Sequence, residues 1–183
     1  MYDKFRTAFD DIICPGADIL EGFWNSQTGN PALESHPILK IPNWKRRAIP
    51  LKIHGDSVPV TGCGRVWSKS LFIISITGLL GHGSTMKSLF LMYAGFAHLL
   101  TDESSRALWK IICHSLTALW EGKHPAAGPD GKKYSANSAE GKRAGKRLFP
   151  VDKFFCIPWI NQGDLEHYRK DRDRRPYMYI EHS

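Results

Sequence analysis

Long hydrophobic runs are what this 183-residue sequence most plainly lacks. Its most apolar region, 71–100, is cut by Gly81-His-Gly-Ser-Thr-Met-Lys-Ser88, and neither half reaches the ~20 residues of a membrane helix. The opening Met1-Tyr-Asp-Lys-Phe-Arg6 has no apolar core of signal-peptide length. A soluble intracellular protein is expected, and its charge is compatible with the nucleus. Cysteines are few and scattered: Cys14, Cys63, Cys113 and Cys156 stand more than 40 residues apart. No CxxC or Cys/His pair has zinc-ligand spacing, so free thiols in a reducing compartment are expected. His54, His82, His98 and His114 form no HExxH and no Ser/His/Asp arrangement, and they read as hydrogen-bonded structural groups. No internal repeat is present. Acid is in deficit, 18 Asp and Glu against 25 Lys and Arg, giving a net charge of +7. That sign favours polyanionic partners such as nucleic acid and says nothing about fold.

Apolar residues make up 42% of the chain and aromatics 11%, too many for disorder and enough for one domain with a core. Residues 1–48 are expected to form an N-terminal segment packing on that core. It opens with a short helix that carries Phe5, Phe9, Ile12 and Ile13 on one face and breaks at Pro15-Gly16. From residue 23 onward Asn30-Pro31, His36-Pro37 and Ile41-Pro42 predict irregular chain, pinned down by Trp24 and Trp44. A core spans 49–168, and 169–183 is a charged tail.

Within the core, Ile49, Leu51 and Ile53 alternate with Pro50, Lys52 and His54, the pattern of a half-buried strand. The strand is expected to stop on Gly55-Asp56 before Pro59. Leu71 to Ile76 predicts a second strand, joined antiparallel to the first through the turn-rich Thr61-Gly-Cys-Gly-Arg65. Residues 88–96 fit a third strand or a helix. Leu108, Ile111, Ile112, Leu116 and Leu119 form one stripe of a helix from about Asp102 to Trp120. Thr101 or Asp102 caps it, and Gly122 and Pro125 end it. A polar loop, 123–147, leads to a last apolar run, 149–160, followed by Asn161-Gln-Gly-Asp164.

Two Gly-Asp sequences thus end two candidate strands. The order meander, helix, strand is that of the ribonuclease-H-like fold. There the helix crosses over and sets the last strand parallel to the first and beside it. Asp56 and Asp164 would then meet and share Mg²⁺, a hard ion that takes oxygen ligands. The alternative is that each Asp merely bonds its own turn. A third acid is expected on a later helix, yet Glu166 stands too close in sequence to Asp164 and Glu181 falls in the tail.

Two further features compete. Gly81-His-Gly-Ser-Thr-Met-Lys-Ser88 nearly matches a phosphate-binding loop, with Met86 where a glycine lets the backbone wrap phosphates. Two basic groups offer nucleic-acid contacts: Lys45, Arg46 and Arg47, and the loop residues Lys132, Lys133, Lys142, Arg143, Lys146 and Arg147. The bland reading makes the first a solvated entry loop and the second a flexible solvated insertion.

Three phrases go further: Pro50-Leu-Lys-Ile-His-Gly-Asp56-Ser-Val-Pro-Val60, Ser115-Leu-Thr-Ala-Leu-Trp-Glu-Gly-Lys-His-Pro125 and Gly163-Asp-Leu-Glu-His-Tyr168. With Asn30-Pro-Ala-Leu-Glu-Ser-His-Pro37, they resemble a multicopy family of uncharacterised, transposon-derived proteins of dinoflagellate algae. The central region of that family is similar to a ribonuclease-H-like (DDE) transposase core. The resemblance covers about residues 24–168. It implies an α+β chain with an incomplete ribonuclease-H-like fold. It also implies that Asp56 and Asp164 are the first two acids of a site for Mg²⁺ and DNA. Ser57 stands where a glycine is usual in the family. Beyond Tyr168 its members continue with further helices where this chain has the charged run Arg169–Arg175. The expectation is a truncated transposase or nuclease remnant, weak or inactive alone. The alternatives are a non-catalytic nucleic-acid-binding or interaction domain, or a P-loop nucleotide binder.

Overall fold

A computed structural model describes residues 6–61, 69–149 and 153–163. The chain is α+β. Its strands are β1 (Ala48–Thr61), β2 (Lys69–Gly78), β3 (Phe90–Phe96) and β4 (Phe155–Gly163). They form one mixed sheet in the order β3-β2-β1-β4. β1 pairs antiparallel with β2, β2 antiparallel with β3, and β1 parallel with β4. A parallel neighbour needs a crossover; after the single-turn α3 (Thr85–Ser88) between β2 and β3, the long helix α4 (Asp102–Glu121) provides it. The run at 88–96, open to either reading, is strand from Phe90. The turn-rich link before β2 and the charged tail lie outside the described residues.

The boundaries of α4 follow from local chemistry. The Thr101 hydroxyl accepts from the Ser104 N–H at 3.1 Å, and the Ser104 hydroxyl accepts from the Thr101 N–H at 2.9 Å. That reciprocal cap selects Thr101 over Asp102. At the other end Gly122 takes φ 64°, and a Cβ there would stand 2.9 Å from the Phe154 carbonyl oxygen. Only glycine satisfies both demands. The stripe of α4 buries Ile112 and Leu116 against Ile53 and Ile74 of the sheet.

The N-terminal segment differs from the irregular chain predicted. After α1 (Arg6–Ile12), a second helix, α2, runs from Ala17 to Ser26 and buries Leu20 and Trp24 completely. The prolines do not simply break the chain. Pro31 and Pro37 open single 3₁₀ turns, capped by the Asn30 side chain and by His36 Nδ1, because a fixed φ suits the first helical position. Trp24 does pin this segment. Its indole donates to the Ala48 carbonyl at 2.8 Å, and its ring meets Trp44 at 5.1 Å and Trp159 at 5.0 Å. Trp159 is the residue left over where the β1–β4 register jumps from Leu51↔Pro158 to Lys52↔Ile160. Among the described residues no helix is long and apolar enough to cross a membrane.

Candidate functional site

β1 does not stop at Asp56. It runs five residues further, to Thr61, with a register irregularity between Pro59 and Thr61 that absorbs the proline without ending the pairing. Asp56 therefore lies inside a strand, opposite Ile73 of β2, rather than at a strand end. It is half-buried, and its Oδ1 accepts from the Ser57 N–H at 2.7 Å. Side chains alternate along a strand, so Lys52, His54 and Asp56 share the face opposite Ile53, which packs on α4. In the register His54 stands between Ser75 of β2 and Gln162 of β4. From the sequence alone His54 reads as structural. Its position two residues before Asp56 is the signal that it shares the acid's face.

The parallel pair ends, among the described residues, at Gly55↔Gly163. Asp56 and Asp164 are the residues next in sequence. Asp164 lies outside the described residues, as do Glu166 and Glu181. Among the described residues no group of three or more His, Cys, Asp or Glu side chains is placed to hold a metal ion.

Each side chain of the Lys45–Arg47 cluster has a partner within the fold. The Lys45 ammonium bonds Asn25 Oδ1 at 2.8 Å. Arg46 bridges Glu21 and Asp18, one helical turn apart on α2, and these hydrogen bonds hold its guanidinium charged. Arg47 donates to the carbonyls of Lys153 (3.0 Å) and Pro42 (3.2 Å), with its guanidinium 5.8 Å from the Phe155 ring centre. Lys45 and Arg46 thus tie the turn before β1 to α2, and Arg47 ties it to the residue just ahead of β4.

The 123–147 loop is also no flexible insertion. Its root is paired: His124 donates to Lys146 at 2.8 Å, Gly145 to His124 at 2.9 Å and Leu148 to Gly122 at 2.8 Å. Its tip closes with Gly128 bonded to Lys132 and Tyr134 to Ala126. A short helix, α5 (Ala139–Arg143), capped by Ser138, occupies the return. The result is a hook with Lys123, Lys132, Lys133, Lys142, Arg143, Lys146 and Arg147 all exposed. Within it Lys132 faces Asp130 at 3.5 Å, and Arg143 Nε bonds the Ala139 carbonyl.

The hook is rooted at the end of the parallel pair away from Asp56. Its root sits beside Phe154, where β4 begins, whereas Gly55 and Gly163 lie at the far end of the parallel pair. Eight strand residues at ~3.3 Å each separate the two ends by ~26 Å. The Lys45–Arg47 cluster sits at the hook's end too, since Phe155 N–H donates to the Arg47 carbonyl.

The glycine-rich turn after β2 is committed to the fold. Gly81 N–H donates to Gly78, His82 to Asp11, and Lys87 and Ser88 to Ser84, so four of the amides a phosphate loop would use are engaged. The next strand, β3, is antiparallel to β2, whereas a phosphate loop leads through a helix to a parallel strand.

No protein-family model, curated protein or solved structure matches the chain.

Proposed function

We propose that this chain is a ribonuclease-H-like core of the DDE type, acting on nucleic-acid phosphodiesters through Mg²⁺ held by Asp56 and Asp164. The register of the parallel pair carries the reading: Gly55 is matched with Gly163, and an Asp follows each in sequence. The sheet order, with a meander joined by α4 to a strand parallel to the first, supports it further. Carboxylates supply the hard oxygens that Mg²⁺ takes. Asp56 and Asp164 would hold the ion, which would supply Lewis-acid polarisation of a phosphate and activation of the attacking oxygen. The chain's own part is to fix Asp56 on a strand held on both sides up to Gly55. Activity of this chain alone is expected to be weak or absent, because a DDE site takes a third acid.

Binding is therefore a better test than turnover. Mn²⁺, a paramagnetic stand-in for Mg²⁺, is titrated by electron paramagnetic resonance. Asp56→Asn and Asp164→Asn are each expected to weaken its binding at least about tenfold, since even outer-shell changes cost that much. Unchanged Mn²⁺ affinity in a folded Asp56→Asn protein overturns the reading.

One observation favours a second reading, a non-catalytic nucleic-acid-binding domain. The hook is ordered and displays its cationic side chains. In that case binding to a DNA duplex survives Asp56→Asn, and it falls when Lys132, Lys133 and Lys142 become Glu. For every phosphate that is no longer neutralised, the log–log slope of affinity against salt flattens by about 0.9. A P-loop nucleotide binder has the least support, given the engaged amides at 81–88.

A further inference from the structure

Protein interiors are close-packed and leave few voids larger than a water molecule. This fold holds a cavity of about 350 Å³ between the sheet, α4 and α1, open to solvent along one side. Leu51, Ile76 and Cys156 form its floor, Leu119 of α4 a wall, and Phe9 and Ile13 its roof. Among the described residues no charged side chain lines it. The two polar groups among its described lining residues are already accounted for. The Thr77 hydroxyl donates to the Gly78 carbonyl at 3.4 Å, and burial, with the field of Cys14, pushes the Cys156 thiol well above the usual range and keeps it neutral. The roof is fastened close to the sheet. His82 N–H donates to the Asp11 carbonyl at 2.6 Å, and glycines at 78 and 81 leave room for the backbone of Ile13 and Ile12.

An apolar hollow of this kind offers water few hydrogen-bonding partners and favours apolar matter. We propose that the cavity is a binding site for an uncharged aliphatic chain, taken tail-first with any polar head left at the open side. At ~30 Å³ per water-sized group, the volume holds about ten to twelve methylenes. Such a ligand meets apolar walls throughout, whereas a charged or multiply hydroxylated one would lose hydration without compensation.

The probes are straight-chain alcohols from hexanol to tetradecanol, titrated calorimetrically into the full chain. Affinity is expected to rise about fourfold per methylene while each added carbon enters the cavity, then to level near ten to twelve carbons. In the unmodified protein, methyl resonances of Ile13, Leu51, Ile76 and Leu119 shift on binding. Leu119→Phe, which places a ring in the void, lowers the best alcohol's affinity about tenfold or more. An affinity that climbs without levelling through fourteen carbons overturns the proposal. So do shifts confined to other methyls, or an absence of binding up to the solubility limit. The methyl shifts decide the matter even if Leu119→Phe fails to fold.

Discussion

Gly81→Ala gives the sharpest test of how the N-terminal segment is attached. A Cβ at 81 would overlap the carbonyl oxygen and carbon of Ile12, where real Cβ contacts essentially never fall below 3.0 Å. The obstacle is backbone at the end of α1, so no rotamer relieves it, and α1 must retreat by about an ångström. That retreat weakens the His82–Asp11 hydrogen bond, worth about 1 kcal/mol. It also exposes part of Phe9, now 3% accessible, whose full burial is worth about 1.5–3 kcal/mol. The expected loss is roughly 2–4 kcal/mol, a fall in Tm of roughly 5–15 °C for a chain of this size. Gly22→Ala is the control. It lies inside α2 with nothing within 4 Å of the added carbon, and it should stabilise by about 0.5–1 kcal/mol. Urea unfolding measures both changes, and hydrogen exchange at the α1 amides locates the first. If Gly81→Ala matches the parent within about 0.5 kcal/mol and the α1 amides keep their protection, α1 does not dock against Gly81.

Trp24→Phe removes the indole donor of a buried 2.8 Å bond and orphans the Ala48 carbonyl, at the centre of three ring contacts. About 3 kcal/mol of stability should go with it, read from the urea midpoint, and a loss under about 1 kcal/mol would contradict the assignment. His36 carries a pH dependence. Its Nδ1 must be unprotonated to accept from the Ile38 N–H at 3.1 Å, and burial lowers its pKa below 6.5. The folded state therefore binds this proton less readily than the unfolded state. Its stabilising effect is complete above pH 6.5 and is lost as pH falls from there toward the lowered value. His36→Asn keeps a capping acceptor that does not titrate. Its Tm should drop less than the parent's between about pH 7.5 and about pH 5, and equal slopes would rule out His36 as the group responsible.

The sequence is most legible where structure is written locally. α4 is announced by its stripe, its Thr101 cap and its Gly122 stop, and β2 by its β-branched run. α2 escapes such a reading because its first residue follows Gly16, which offers no side-chain cap, and because the prolines further on suggest irregular chain throughout. Leu20, Phe23 and Trp24, spaced i, i+3, i+4 after Pro15-Gly16, are its signal. The basic triplet misleads for a related reason. Charge in a sequence looks free until its partner is placed, and the partners of Arg46 sit on α2 itself. Asp18 and Glu21, three residues apart, are the trace they leave. At the candidate site, Gly55-Asp56 and Pro59 look like a strand stop. A strand already paired with β2 absorbs one proline at an irregular step, which is a tertiary fact that no local pattern states. The parallel pairing of β1 with β4, by contrast, follows from counting elements and from the length of the connection.

The hook has a consequence for how this chain could be divided. Its two legs are bonded to each other at the root, and the hydrogen bonds and ion pair shown for Lys132 and Lys133 stay within the hook. β4 is thus held to β1 by the ladder and only indirectly by the peptide running through the tip. Covalent continuity there is dispensable in principle. Two fragments parted at the tip would each carry one strand of the parallel pair, so reunion of the sheet would by itself bring residues 56 and 164 back into one molecule.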